Sequence, residues 1–497
     1  MGIRKMQRQC LSAVLIFLCV LALSACTANK LIRSGTEACR VEPTRPCADS
    51  PLQESDAPAR KGDGTPTIAN YLLGFVEFDD EGKAYRPEQA SLIFDRMARE
   101  AKDRDLCIVV FVHGWKHNAA DSDGNVQDFR KLLAAIAAAE LQRPSDQQRK
   151  VIGIYTGWRG SSVAVEFVDN LSFWARKDAA RRVAEGSIRG LLGKVKAFRD
   201  TLNLQVPGQG KTSRGTRMLT IGHSFGGHIV YSALAQYYID RAATSLIRAQ
   251  YFPNAAASDH PTEKNDPREI SAYGDLVVLI NPAIEAMRYE PIRQLVNEQH
   301  AGGRSTLRYA PRQSPVLVEV TSVGEGKFDG DWATGIVFPL GRMVNTGFEA
   351  TTSDPLTGES ERAQIQTAMG HYRPFWTHDL DRPEQELTKE KRSPPELLDP
   401  DPAADCRDFF AFEKTWRSDG YLRSGWQRTY RSGAVLKEIG AGQYDPNNPF
   451  WIVRAHPQII LDHNDISAPV FVNFIAQLFG DLSRLRDESA CGAMRAR

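Results

Sequence analysis

Hydropathy along this chain switches repeatedly between short unbroken apolar runs and longer stretches whose apolar residues recur every three or four positions. The runs YLLGFVEFD (71–79), CIVVFVHG (107–114), VIGIYTGW (151–158), MLTIGHS (218–224), DLVVLINPA (275–283), PVLVEVTS (315–322) and PFWIVRA (449–455) read as strands. Between several of them lie helical patterns: PEQASLIFDRMAREAKD (87–103), VQDFRKLLAAIAAAEL (126–141), SFWARKDAARRVAEGSIRGLLGKVKAFRD (172–200) and GGHIVYSALAQYYIDRA (226–242). A strand without polar alternation is covered on both faces, so the expected class is α/β, a mostly parallel, doubly wound sheet with helices on both faces. In that class ligands bind at the carboxyl ends of the strands.

This pattern begins near residue 67 and runs to about 490. Before it, Arg4, Lys5 and Arg8 precede the apolar run LSAVLIFLCVLAL and the tetrad Leu23-Ser24-Ala25-Cys26. The run is short for a bilayer span. The tetrad resembles the lipobox of bacterial lipoproteins, which implies a signal peptide over 1–25 and acylation of Cys26. It also implies a lipid-anchored protein of the bacterial cell envelope. Thr27, not Asp, follows the cysteine, which by that resemblance favours the outer membrane, facing the periplasm. Residues 26–66 are polar and Pro-rich and read as a flexible tether. Within the main body, 241–270 reads as a polar insertion and 340–448, with many Pro and Gly, as a cap or lid insertion.

Composition narrows the function. With 42% hydrophobic residues, 25% charged and a net charge of +1, a core is available and nothing favours nucleic acid. There is no HExxH, CxxC or phosphate-loop motif, so no metal and no cofactor is indicated. Cys10 and Cys19 lie within the signal segment, and an oxidising compartment permits bridges among the remaining cysteines. Cys39 with Cys47 and Cys406 with Cys491 are the pairings considered, while Cys107 opens a core strand and reads as a packing residue.

The chemistry concentrates at two strand ends. Gly222-His223-Ser224-Phe225-Gly226 puts a serine on a strand-to-helix turn flanked by glycines, and CIVVFVHGWKH (107–117) stops abruptly at His113-Gly114. Together they resemble the nucleophile elbow and oxyanion loop of α/β-hydrolases. The resemblance implies a Ser, then Asp/Glu, then His order, with Ser224 as nucleophile. Backbone N–H groups of Trp115 and Phe225 would form the oxyanion hole. His113 would shape that loop, with His117 and Asn118 stiffening it.

Four histidines follow late enough to be the base: His371, His378, His456 and His463. His463, in a loop before a terminal amphipathic helix, is the first choice and His456 the second. His371 and His378 would line or brace the site. The acid falls in VGEGKFDGDWATG, where Asp331 precedes Trp332 and is preferred over Asp329 and Glu325. Bland alternatives stand beside each: a glycine-bounded turn can be purely structural, and a Gly-rich loop merely solvated. Aromatics near the rim, Trp115, Trp158, Phe173, Trp174 and Trp332 among them, would line an acyl pocket or simply pack helices on the sheet.

The resemblance thus implies an acyl-enzyme mechanism on carboxylic esters, an esterase or lipase acting on an ester-containing small molecule or lipid. Rival expectations are an acyltransferase or amidase on the same scaffold, and a non-catalytic envelope scaffold protein.

Overall fold

The computed structural model describes residues 30–42, 47–60, 65–160, 173–204, 215–251, 266, 268–301, 309–324, 330–345, 353, 360–382, 401–439, 444–486 and 491. The signal segment, Cys26, Glu325 and Asp329 lie outside these residues.

In chain order the first half is β1 (Ala38–Arg40), β2 (Leu52–Arg60), β3 (Pro66–Glu77), α1 (Pro87–Glu100), β4 (Leu106–Val112), α2 (Gly124–Glu140), β5 (Lys150–Gly157), α3 (Phe173–Glu185), α4 (Ile188–Leu204), β6 (Arg217–His223) and α5 (Phe225–Tyr251). There follow β7 (Leu276–Ile280), α6 (Glu290–Ala301), β8 (Leu317–Ser322), α7 (Phe338–Asn345), α8 (Glu361–Gln366), β9 (His378–Asp381) and α9 (Pro402–Trp416). The chain ends with a small hairpin of β10 (Arg417–Ser418) and β11 (Tyr421–Leu422), then β12 (Gln427–Thr429), β13 (Val435–Glu438), β14 (Phe450–Ala455) and α10 (Pro469–Arg486).

Among the described residues the main sheet has twelve strands in the order β1-β2-β3-β5-β4-β6-β7-β8-β14-β9-β13-β12. Its centre, β3 through β14 and on to β9, is parallel throughout. Antiparallel pairs occur only towards the edges, β2 with β3, β9 with β13 and β13 with β12. Strand β4 shows why the runs are unbroken. Leu106, Ile108, Val110 and Val112 enter one core, with α1, α3, α4 and α5. Cys107, Val109 and Phe111 enter the other, with α2, α9 and α10. Each face needs apolar side chains, so no polar alternation survives.

Four expectations change. The tether is not one throughout: β1 and β2 join the sheet, Leu52, Gln53 and Ser55 of β2 are buried, and Cys39 is bridged to Cys47. The long helix over 172–200 breaks at Gly186-Ser187, where Ser187 N–H donates to the Gly82 carbonyl (2.7 Å) and a Cβ on residue 186 would strike the Gly82 backbone. The described part of 340–448 is not simply a cap, since β9, β13 and β12 widen the sheet. Likewise α5 carries its helix to Tyr251, well into the segment read as a polar insertion. Cys406 is bridged to Cys491, and Cys107 is free and buried.

Candidate active site

Strand β6 must turn into α5 within one residue, and Ser224 makes that turn with φ of +55°, left-handed backbone that costs a non-glycine residue about 1–3 kcal/mol. The surrounding glycines explain how the turn closes. A Cβ on Gly222 would lie 2.7 Å from the Gly226 carbonyl oxygen, and one on Gly226 would strike the carbonyl oxygen of Val112 at the end of β4. The turn is pinned by Ser224 N–H donating to the Ile280 carbonyl (2.9 Å) and Ala283 N–H donating to that of Ser224 (3.2 Å).

The side chain so presented meets an imidazole from the far end of the chain. His463 Nε2 lies 2.8 Å from Ser224 Oγ, and His463 Nδ1 lies 2.8 Å from Asp331 Oδ1. An ionised carboxylate only accepts, so Nδ1 carries the ring proton and Nε2 offers its lone pair to the serine hydroxyl. Burial alone would raise the Asp331 carboxyl. The His463 ring beside it, and hydrogen bonds from His463 and Thr334, outweigh that and hold it below the usual carboxylate range. Asp331 stands nine positions beyond β8, yet Val323 bridges Gly330 and Asp331 N–H donates to Ser322 (2.9 Å), so the loop returns the acid to the strand end.

No model of a known protein family matches this chain, and no curated protein matches it.

Of the other histidines, His371 comes closest to the acid. The Thr334 hydroxyl donates to Asp331 Oδ2, which leaves its oxygen to accept from His371 Nε2 at 3.1 Å. His456 stays half-exposed, its Nδ1 accepting from Gln458 N–H (3.2 Å). His378 is buried between the rings of Trp426 and Trp451 on β9, and burial lowers its pKa to about 3.

Trp115 and Phe225 sit across from one another, with Phe173 touching both rings at 5.2 and 4.9 Å between centroids. Neither backbone N–H has an acceptor among the described residues. His113 holds the loop: its Nε2 accepts from Trp158 N–H (3.0 Å), so Nδ1–H donates to the Gly114 carbonyl (2.9 Å). The Trp158 indole N–H donates to the His113 carbonyl (2.9 Å) and burial lowers the His113 pKa to about 4, leaving a neutral structural ring. Asp123 then caps α2, accepting from Asn125 N–H while also taking His117 Nδ1 (3.0 Å) and Asn118 N–H (3.0 Å).

Three contributors escaped sequence reasoning. His223 Nε2–H and the Asn281 amide both donate to the His463 carbonyl, at 2.8 and 3.0 Å, and so clamp the histidine loop to the ends of β6 and β7. The third is Thr334. An Asn-Pro pair ending a strand, Asn281-Pro282, is a legible turn signal; Thr334 has none, because its role exists only through a loop fold. Most of the expected rim aromatics are core: Tyr155, Trp158, Phe173, Phe338 and Phe375 are buried, and Trp332 is exposed.

Among the described residues no group of His, Cys, Asp or Glu could hold a metal ion, and no helix is long and apolar enough to cross a membrane.

Proposed function

We propose that this chain is a serine hydrolase of the α/β-hydrolase kind, held in the cell envelope by lipid on Cys26, that cleaves carboxylic esters through an acyl-enzyme. One observation carries the reading: an unbroken line of hydrogen bonds from Ser224 Oγ through His463 to Asp331, with bonds of 2.8 Å on either side of the ring. A serine, a histidine and a buried carboxylate, contributed in that chain order, are the parts such a reaction needs.

In this mechanism His463 Nε2 takes the proton of Ser224 as Oγ attacks the ester carbonyl, and Asp331 stabilises the imidazolium. The Phe225 and Trp115 N–H groups, without another acceptor among the described residues, receive the developing oxyanion. His463 then protonates the leaving alkoxide, and the acyl group stays on Ser224 as an ester. Water repeats the sequence: His463 removes its proton, the hydroxide oxygen attacks, and Oγ leaves with the proton returned. The scheme uses no metal and no cofactor. Ser224 is only 2% exposed, a shielded position that also favours acyl transfer to an alcohol in place of water as a second reading.

The test is labelling by a fluorophosphonate probe of wild type, Ser224→Ala and His463→Ala, with a p-nitrophenyl ester series of rising chain length. Labelling should vanish in Ser224→Ala and fall by orders of magnitude in His463→Ala. Survival of labelling in Ser224→Ala would remove the serine from its assigned role. Added alcohol that diverts the acyl group into a new ester would select the transferase.

A further inference from the structure

Four of the large apolar side chains most exposed among the described residues gather at the carboxyl edge of the sheet, around the Ser224 turn. Trp332 (51% exposed) follows Asp331, and Leu461 (63%) precedes Asp462 and His463; the two loops are joined where Gly330 bridges Asp462. Leu340 (59%) and Met343 (54%) project from α7. That helix carries apolar side chains on its exposed side as well as on its packed side. Phe338 and Gly341 pack on the Trp174 ring and Arg342 pairs with Glu285, so the packed side is set and the leucine and methionine are left in solvent. Single exposed apolar residues need no explanation, but a cluster on one edge marks an interaction surface.

The start of the described chain reaches the same edge. Ile32 and Arg33 N–H groups donate to the carboxylate of Glu77, the last residue of β3, at 2.9 and 2.8 Å. The Arg33 guanidinium is fully buried; it donates to the carbonyls of Ala48 (2.6 Å) and Ala119 (2.7 Å), pairs with Asp121, and lies over the Phe75 ring. Residues 32–33 are therefore fastened beside the loop that carries Trp115. Cys26 stands four positions before Lys30, and four residues of extended chain reach no more than about 14 Å. No long tether separates the acylated position from the body.

We propose that this edge is a docking face for a phospholipid bilayer: Trp332, Leu340, Met343 and Leu461 sink into the interfacial layer beside the acyl chains of Cys26. The Ser224 site then opens onto the membrane surface and takes its ester from a lipid in that bilayer. This rests on the anchored-hydrolase reading and names its substrate class.

The test uses the full acylated chain in vesicles of phosphatidylethanolamine and phosphatidylglycerol, with an environment-sensitive fluorophore on Leu340→Cys, Met343→Cys, Leu461→Cys or Ile68→Cys. The native bridges and buried Cys107 leave the introduced thiol as the reactive one. Ile68, also exposed, lies nine residues back along β3, about 30 Å away at the opposite edge. Probes at 340, 343 and 461 should shift to the blue and be quenched by a lipid-borne quencher, while the probe at 68 stays water-like. Leu340→Asp with Met343→Asp should cut hydrolysis of a vesicle ester at least about tenfold and leave that of a soluble short-chain ester within about twofold.

Water-like probes at 340, 343 and 461 on protein shown by mass to be acylated would overturn the docking. Fluorophosphonate labelling of Ser224 in the same sample would then keep the hydrolase reading standing. Membrane-buried probes without labelling would do the reverse. An unacylated Cys26 overturns the proposal at its root.

Discussion

Asp331 shows how one residue's surroundings decide its role. It is fully buried yet held as a carboxylate, with Thr334 and His463 on its two oxygens. Asp331→Asn should leave substrate affinity nearly intact and lower kcat roughly 10³–10⁴-fold, since an amide no longer selects the productive ring tautomer. Thr334→Val removes one donor to the same carboxylate. It should cost about 10–100-fold in kcat, and Thr334→Ser should recover most of it, both read from steady-state kinetics.

Glu319 on β8 is the opposite case. Burial pushes its carboxyl up to about 8 against the bond from Thr321 Oγ1, so it is largely protonated at neutral pH. Because the folded value lies above the ordinary 4.5, the unfolded chain releases this proton first as pH rises. Folding stability from this group is therefore complete below about pH 4.5 and is lost progressively towards pH 8. Glu319→Gln should raise the urea midpoint at pH 8 and leave it unchanged near pH 4.

At the scale of elements, the apolar runs of β3 through β8 and of β14 were legible because burial on both faces writes an unmistakable pattern. The short edge strands were not. LQESDAPAR of β2 is buried chiefly near its start, and its polar residues read like a linker. Besides its pairing with β3 and the Cys39–Cys47 bridge, this region is fastened by the buried guanidinium of Arg33, and no periodicity announces that an arginine will serve as a core residue. Arg33→Met removes the guanidinium donor to the buried Ala48 and Ala119 carbonyls and leaves Asp121 with Arg130 alone, and should destabilise by about 1–3 kcal/mol. Arg40→Met, at an exposed pair, should cost no more than about 1 kcal/mol by the same denaturation measurement. The candidate site was legible at Ser224, Asp331 and His463 because strand ends and chain order constrain them. The clamps by His223, Asn281 and Thr334 were not, since they depend on which loops meet in space.

On the scale of the whole molecule, the sheet is closed by segments from both ends of the chain. Cys406 on α9 is bridged to Cys491 across 85 residues, a loop that also contains β12 to β14, His463 and α10. Cross-linking a loop of that length constrains the unfolded chain by roughly 4–5 kcal/mol. Cys406→Ser with Cys491→Ser should lower the denaturation midpoint accordingly. Reductant should lower the midpoint of wild type by more than that of the double variant, in which only the short Cys39–Cys47 bridge is left to open.

The 239-residue separation of Ser224 from His463 has a bearing on biosynthesis. A ribosome or export channel releases the elbow long before the imidazole that must face it. Until the closing tenth of the polypeptide has emerged and settled between the ends of β6 and β7, the hydroxyl stands idle. On the anchored-hydrolase reading, a chain made beside a membrane full of ester bonds would thereby have a safeguard in its own connectivity, one that requires neither an inhibitor nor a removable propeptide.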